Sequence, residues 1–352
     1  MKNKSILQIF VLYISAFLVY LPVRAEVVQG SELLDEAIYI LKRYYAGEVS
    51  EDVLMADDIE DAIKALGDPY SAYMSPQEYR AFIESIEMEL VGIGVSVEKA
   101  SDGLVITSVF RGSGAEEAGL RPGDVIVQAD GVDLRDMDLS QAIMYIRGEE
   151  NTSVSLTVKR GESTFSVKVL RKRISLPTVE WDLIDGVGYI RVLSFGDDTP
   201  AQFKRALEEV KAAGARGLIV DLRGNGGGYL QSAVDMIGYF VGAKPATLVH
   251  VKSEGRYYIF SESDHLVDMP VLVLVDGYTA SASELFAGAL QDYGRAGLIG
   301  SNTYGKGSIQ WIFPLSDGSM LKLTVGYFYT PSGKQINGVG LKPDLALQDD
   351  FL

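Results

Sequence analysis

The stretch VLVLVDGYTASASELFAGALQDYGRAGLIGSNTYGKGSIQ, residues 271–310, decides how the rest of the chain reads. Its first five residues, Val271 to Val275, form an apolar run that predicts a buried strand. The turn after it leads into small residues and then a helix. A serine where a strand turns into a helix exposes its hydroxyl at the sheet edge. The same place offers the unpaired N–H groups of the helix start to developing negative charge. Ser281 and Ser283 both occupy that position, and spacing alone does not choose between them. Ser281-Ala-Ser-Glu284 also reads as a capping box, in which the serine does nothing more than start the helix. Downstream, Lys306 sits between Gly305 and Gly307, with Gln310 four residues on. Ser281 and Lys306 are thus a candidate nucleophile and base, while a turn lysine on the surface is the plainer alternative.

Composition narrows the chemistry. The 352 residues suffice for two or three domains. An apolar fraction of 47% and a charged fraction of 23% are ordinary for a folded protein. A net charge of −16 argues against nucleic acid as a partner. With no cysteine, thiolate catalysis, disulfides and cysteine-ligated metals are excluded. Only two histidines exist, His250 and His265. Neither has metal-ligand spacing to other residues, and neither is well placed for a Ser-His-Asp triad.

The first 25 residues read as an export signal: Lys2 and Lys4, an apolar Ile6 to Leu21, and Ala25 at the end. Cleavage after Ala25 is expected, with a retained membrane anchor as the alternative. Either way the remainder is expected to be exported, to the periplasm or another extracytoplasmic space. Residues 26–89 predict an acidic helical region. Leu33, Leu34, Ala37, Ile38, Leu41 and Tyr45 keep helical spacing, and Ser75-Pro76-Gln77-Glu78 opens a further helix as a capping box. This region is expected to pack, and homo-oligomer formation through its helices is left open.

Residues 90–172 change to short strands, glycine turns and one helix, Leu139 to Ile146. This order, with Leu120-Arg-Pro-Gly-Asp-Val-Ile126 in its middle, resembles a circularly permuted PDZ domain. PDZ domains bind extended peptides at a sheet edge and hold the terminal carboxylate with loop N–H groups. The resemblance places that loop near Gly92, Ile93, Gly94 and Val95. The glycines would let the backbone approach the ligand, and Ile93 and Val95 would line a side-chain pocket.

From residue 173 strands and helices alternate, which argues for a parallel or mixed α/β sheet with its site at the C-terminal strand ends. The strand Gly217 to Leu222 ends in Arg223-Gly-Asn-Gly-Gly-Gly228. That glycine run lacks the Gly-Lys-Ser/Thr ending of a P-loop. Unhindered N–H groups for an oxyanion are the better reading.

Taken together, Asp221-Leu-Arg-Gly-Asn-Gly-Gly-Gly228, Thr279-Ala-Ser-Ala-Ser-Glu284 and Tyr304-Gly-Lys-Gly-Ser-Ile-Gln310 resemble the signatures of the carboxyl-terminal processing (tail-specific) proteases. Tyr329-Thr-Pro-Ser-Gly-Lys334, Gly338 to Asp344 and Asp68-Pro-Tyr-Ser71 are similar too, in the family's order. The resemblance implies a mixed α/β fold. An N-terminal helical region and a PDZ-like β-rich domain would precede a peptidase core of crotonase-like type at 173–352, with a β-rich end. It implies Ser281 as nucleophile, Lys306 as general base, Gln310 as the residue orienting that lysine, and the N–H groups of Ala282 and Gly227 as the oxyanion hole. Tyr70 stands where many relatives carry histidine, at a place expected to lie outside the chemistry.

A lysine base must be neutral, so its pKa of ~10.4 has to fall by roughly three units, about 4 kcal/mol. Burial can do that, and flanking glycines let the chain of Lys306 turn inward. Gln310 can position an amine without the charge that would raise its pKa. The function implied is an exported serine endopeptidase that takes protein or peptide substrates by a free C-terminus, without metal or organic cofactor. The resemblance also implies a PDZ-like domain that moves to complete or cover the site; an activating partner protein is left open. The alternatives are a catalytically silent peptide-binding scaffold and, more weakly, an acyl-CoA enzyme on a similar core.

Overall fold

A computed structural model describes residues 30–347. The predicted export segment, residues 1–25, lies outside the described residues. The chain forms two compact units: Met88–Leu176, and a second made of the residues up to Glu87 together with those from Pro177 onward. Among the described residues no helix is long and apolar enough to cross a membrane.

In the unit Met88–Leu176, antiparallel strands follow the order Val95–Ala100, Gly103–Val109, Val125–Ala129, Ser153–Arg160, Ser163–Leu170. Leu104, Ile106, Ile126, Val154, Leu156 and Val158 alternate inward and build the core with Ala142 and Ile146 of the helix Leu139–Ile146. Asp138 caps that helix by accepting from Gln141 N–H at 2.8 Å. The turn before Val125 is pinned by a nearly buried Asp124, which accepts two hydrogen bonds from Arg160 at 2.6 and 2.7 Å. Entry and exit are zipped together, since Glu89–Gly92 pairs antiparallel with Lys172–Ser175.

The other unit contains a six-stranded sheet in the order Val179–Ile184, Val187–Val192, Leu218–Asp221, Val271–Val275, Ala296–Gly300, Leu345–Ala346. The first two strands form a hairpin through Asp185-Gly186, both at positive φ, as a tight turn between twisted strands requires. The remaining neighbours are parallel. Helices Thr199–Ala212, Leu230–Val241 and Ala282–Asp292 join their aromatic rings, Phe203, Phe240 and Phe286, at centroid distances of 5.6 to 6.2 Å. The run Val271–Val275, expected to be buried throughout, is buried on alternate residues only. Val271, Val273 and Val275 face the core, and Leu272 is 41% exposed.

A second sheet is built around the ten-residue strand Met320–Tyr329. It pairs with Ala72–Met74, with Pro245–Val251 (itself paired to Gly255–Phe260) and with Ser308–Pro314. The N-terminal helical region thus contributes a strand to this sheet. Its strand Ala72–Met74 lies in register with Lys322 to Met320. Its helix Gly30–Tyr44 buries Ala37, Ile40 and Leu41 in one cluster with Leu315, Leu321 and Leu323. The capping box at Ser75 forms as expected: Ser75 N–H donates to Glu78 at 2.8 Å and Ser75 Oγ accepts from Glu78 N–H at 3.3 Å.

Leu321→Ala opens a void shared by the N-terminal helices and the second sheet. It is expected to lower the stability of this unit by about 2–5 kcal/mol. Hydrogen exchange should show lost protection in both Gly30–Tyr44 and Met320–Tyr329; a loss confined to one would mean that the two fold separately.

Candidate active site

Two adjacent parallel strands set the site. Leu218–Asp221 and Val271–Val275 lie in register, Asp221 beside Leu274, so the loops at their C-terminal ends emerge side by side. Hydrogen bonds lace these loops together. Gly224 N–H donates to the Asp276 carboxylate at 3.0 Å, Ala280 N–H to Asn225 O at 3.0 Å, and Thr279 Oγ1 to Leu222 O at 3.0 Å. Gly227 comes so close that a Cβ there would stand 2.8 Å from Ser281 Cβ and 2.9 Å from Ala282 N, at φ +104°. Only glycine meets both demands.

Ser281 itself is strained, at φ 56° and ψ −119°, a region that residues with a Cβ rarely adopt. It is half-buried, whereas Ser283 is fully buried and donates its Oγ to Asn225 O at 3.1 Å. Structure thus separates two serines that spacing could not. Ala282 opens the helix, so its N–H has no intrahelical acceptor. The N–H of Gly227, expected beside it as an oxyanion donor, donates instead to Asn225 Oδ1 at 2.8 Å. The reason is that Asn225, 1% exposed, must satisfy a buried amide: its Nδ2 donates to Val192 O at 2.8 Å and its Oδ1 takes Gly227.

Lys306 arrives from the second sheet, in the loop before Ser308–Pro314. A single buried carboxylate joins that loop to the serine. Glu284 Oε2 accepts from Ser281 N–H at 2.9 Å and from Lys306 N–H at 2.8 Å. Its Oε1 accepts from Gly305 N–H at 2.8 Å and from the Thr303 hydroxyl. The capping box foretold only the first of these four bonds. Gly307 is required by close packing, because a Cβ there would stand 2.5 Å from Asn337 N.

The Lys306 side chain is half-buried, and its pKa is held below the ordinary lysine value. Burial is the main cause and the charge of Lys322 the second; Asp68 and Glu284 oppose them. Nζ lies 4.9 Å from the ring centroid of Tyr70. Tyr70 is therefore at the site, against the expectation that it lies outside the chemistry. Ala72–Met74 and Ser308–Pro314 both pair with Met320–Tyr329, Ala72 and Ile312 each opposite Lys322, and this brings the two loops together. Among the described residues no hydrogen bond links Lys306 Nζ to Ser281 Oγ or to Gln310. The Gln310 amide donates to the hydroxyls of Ser308 at 2.9 Å and Thr324 at 3.2 Å. His250, on the strand Pro245–Val251, and His265, beside Asp268, are both exposed.

In the other unit, Ile93 is 2% exposed and belongs to the core, so it does not line a side-chain pocket. Its carbonyl accepts from Ala115 N–H at 2.8 Å. Gly92 pairs with Lys172. Gly94, at φ +83°, lies where a Cβ would meet Ser113 at 2.2 Å. Val95 begins a strand at the edge of its sheet, a position that can accept a further strand.

Glu284→Gln keeps the size but turns an N–H₂ toward N–H donors, leaving at least one buried donor unmet at ~1–3 kcal/mol. The expected result is a lower melting temperature, with faster hydrogen exchange at Gly305 and Lys306; unchanged exchange there would show that the carboxylate does not hold the loop.

Comparison with known proteins places these loops. Residues 186–347 match the model of peptidase family S41, and residues 105–160 that of the PDZ domain. The chain is 37% identical over 316 residues to a Probable CtpA-like serine protease of Staphylococcus aureus (strain bovine RF122 / ET3-1), covering 89% of this chain and 64% of that protein. The counterpart in Staphylococcus haemolyticus (strain JCSC1435) is 36% identical over 306 residues, covering 86% and 61%. The chain thus spans less than two thirds of the length of these curated relatives. Among solved structures, the photosystem II D1 C-terminal processing protease is 27% identical, with 92% of this chain and 94% of that one covered and a TM-score of 0.56. A lipoprotein from Streptococcus agalactiae, 12% identical over 93% of this chain and 95% of its own, shares the fold at a TM-score of 0.54. The strand-end loops thus lie inside the part of the chain, residues 186–347, that is similar to peptidase family S41, and residues 105–160 are similar to the PDZ domain.

Proposed function

We propose that this chain is an exported serine endopeptidase of the C-terminal processing kind, with Ser281 as nucleophile and Lys306 as general base. The observation that carries the reading is the Glu284 carboxylate, one of whose oxygens holds the main chain of both residues. Supporting it are the strained backbone of Ser281, the tied hydroxyl of Ser283, and burial that favours a neutral Lys306.

In this mechanism neutral Lys306 takes the proton of Ser281 Oγ as the oxygen attacks the scissile carbonyl. The oxyanion forms at the helix start, where Ala282 N–H points. The Lys306 ammonium then returns the proton to the leaving amine, and the resulting ester is cleaved by water with Lys306 again as base. Gln310 would orient Lys306 once Nζ turns to Ser281. Substrate tails with a free carboxylate would add to the edge strand Val95–Ala100.

Ser281→Ala and Lys306→Ala are each expected to abolish fragment formation from an unfolded, tailed protein substrate while tail binding persists. Turnover in either purified variant would reject the mechanism, and binding without fragments by the unaltered protein would mark a silent scaffold. Amidating the substrate's C-terminus should raise KM about tenfold or more, the worth of a lost charged hydrogen bond. Because the base works only when deprotonated, kcat/KM should rise with pH through the lowered pKa of Lys306; a profile falling over that range would exclude lysine as base.

A further inference from the structure

Tyr70 is held firmly where it meets Lys306. Asp68 accepts from Tyr70 N–H at 3.0 Å and from the Ser71 hydroxyl at 2.6 Å, and Ser71 Oγ accepts from Thr324 N–H at 3.1 Å. The turn is thereby moored to the long strand Met320–Tyr329. At 4.9 Å from the ring centroid, Lys306 Nζ is within the range where the negative face of an aromatic ring attracts a cation. Burial first, and then the Tyr304 hydroxyl beside it, push the Tyr70 phenol up to about 12, so the ring stays neutral at working pH. The other charges facing Lys306 are Lys322 from the long strand, Asp68 from the turn and Glu284 from the helix start. Among the described residues none of them makes a hydrogen bond to Nζ, so the ring is the direct partner of the amine.

We propose that Tyr70 is a positioning residue for the general base: its ring is the resting seat of the Lys306 ammonium, which Nζ leaves as a neutral amine to reach Ser281. This rests on Lys306 being the base. A ring face attracts the charged amine and not the neutral one, so the seat favours protonation and works against burial and Lys322. Removing the ring must therefore lower the pKa of Lys306 and move the acid limb of the activity profile to lower pH. The seat makes departure of Nζ follow deprotonation, since the attraction vanishes with the charge.

The test reads Lys306 directly, by carbon NMR of protein labelled at lysine Cε, its signal assigned by loss in Lys306→Arg. Tyr70→Leu is expected to lower the Lys306 pKa by about 0.5–1.5 units, the value of one cation–ring contact. Tyr70→Phe keeps the ring and should leave the pKa in place. Should Leu disturb folding, pentafluorophenylalanine at position 70 keeps the shape, reverses the charge of the ring face, and should give the same downward shift. An unchanged pKa in the ring-removed and fluorinated proteins, or an equal shift in Tyr70→Phe, overturns the proposal. If the Lys306 pKa moves while the kcat/KM profile stays, the seat stands and it is the assignment of Lys306 as base that fails.

Discussion

A buried carboxylate with four donors is the constraint on which this site depends. Glu284 is completely buried, and a carboxylate in that position is tolerable only if its lone pairs are met. The donors that meet them come from two sheets: Ser281 from the end of a strand in the parallel sheet, and Thr303, Gly305 and Lys306 from the loop leading into the other. Meeting the charge and aligning the two loops are thus one event. The flanking glycines follow from it, since Gly227 and Gly307 are the places where backbones drawn together leave no room for a Cβ.

The second constraint is the long strand Met320–Tyr329. It pairs with segments from residues 72–74, 245–251 and 308–314, so distant parts of the chain converge on its edges. By contrast the unit Met88–Leu176 is locally wired. Its strands pair mostly with near neighbours, and its two ends are zipped to each other by Glu89–Gly92 and Lys172–Ser175. Such a unit interrupts the other without needing any of its residues for its own core.

Much of this was legible from local pattern. Leu139–Ile146 and Val271–Val275 fall on the residues that periodicity indicates, because turn chemistry and apolar spacing act within a few residues. What was not legible is non-local. The strand Ala72–Met74 is too short to show alternation, and nothing near it reveals that residues 320–322 complete it. Tyr70, which the resemblance leaves outside the chemistry, has its ring centroid 4.9 Å from Lys306 Nζ. Glu284 reads locally as a cap residue, since its further partners lie in the loop that leads into another sheet. Of the two serines that spacing leaves equal, Ser283 is fully buried with its hydroxyl bonded to Asn225 O, while Ser281 is half-buried.

The pairing of Ala72–Met74 with Met320–Tyr329 also orders events in time. Roughly 250 residues separate the two partners, and at a synthesis rate of ~5–20 residues per second the first waits about 12–50 s for the second. Until the long strand has been made, neither Ala72–Met74 nor Ser308–Pro314 has the partner that brings their loops together. A growing chain has every strand of Met88–Leu176 by residue 176, whereas Ala72–Met74 waits for a partner that follows it by roughly 250 residues.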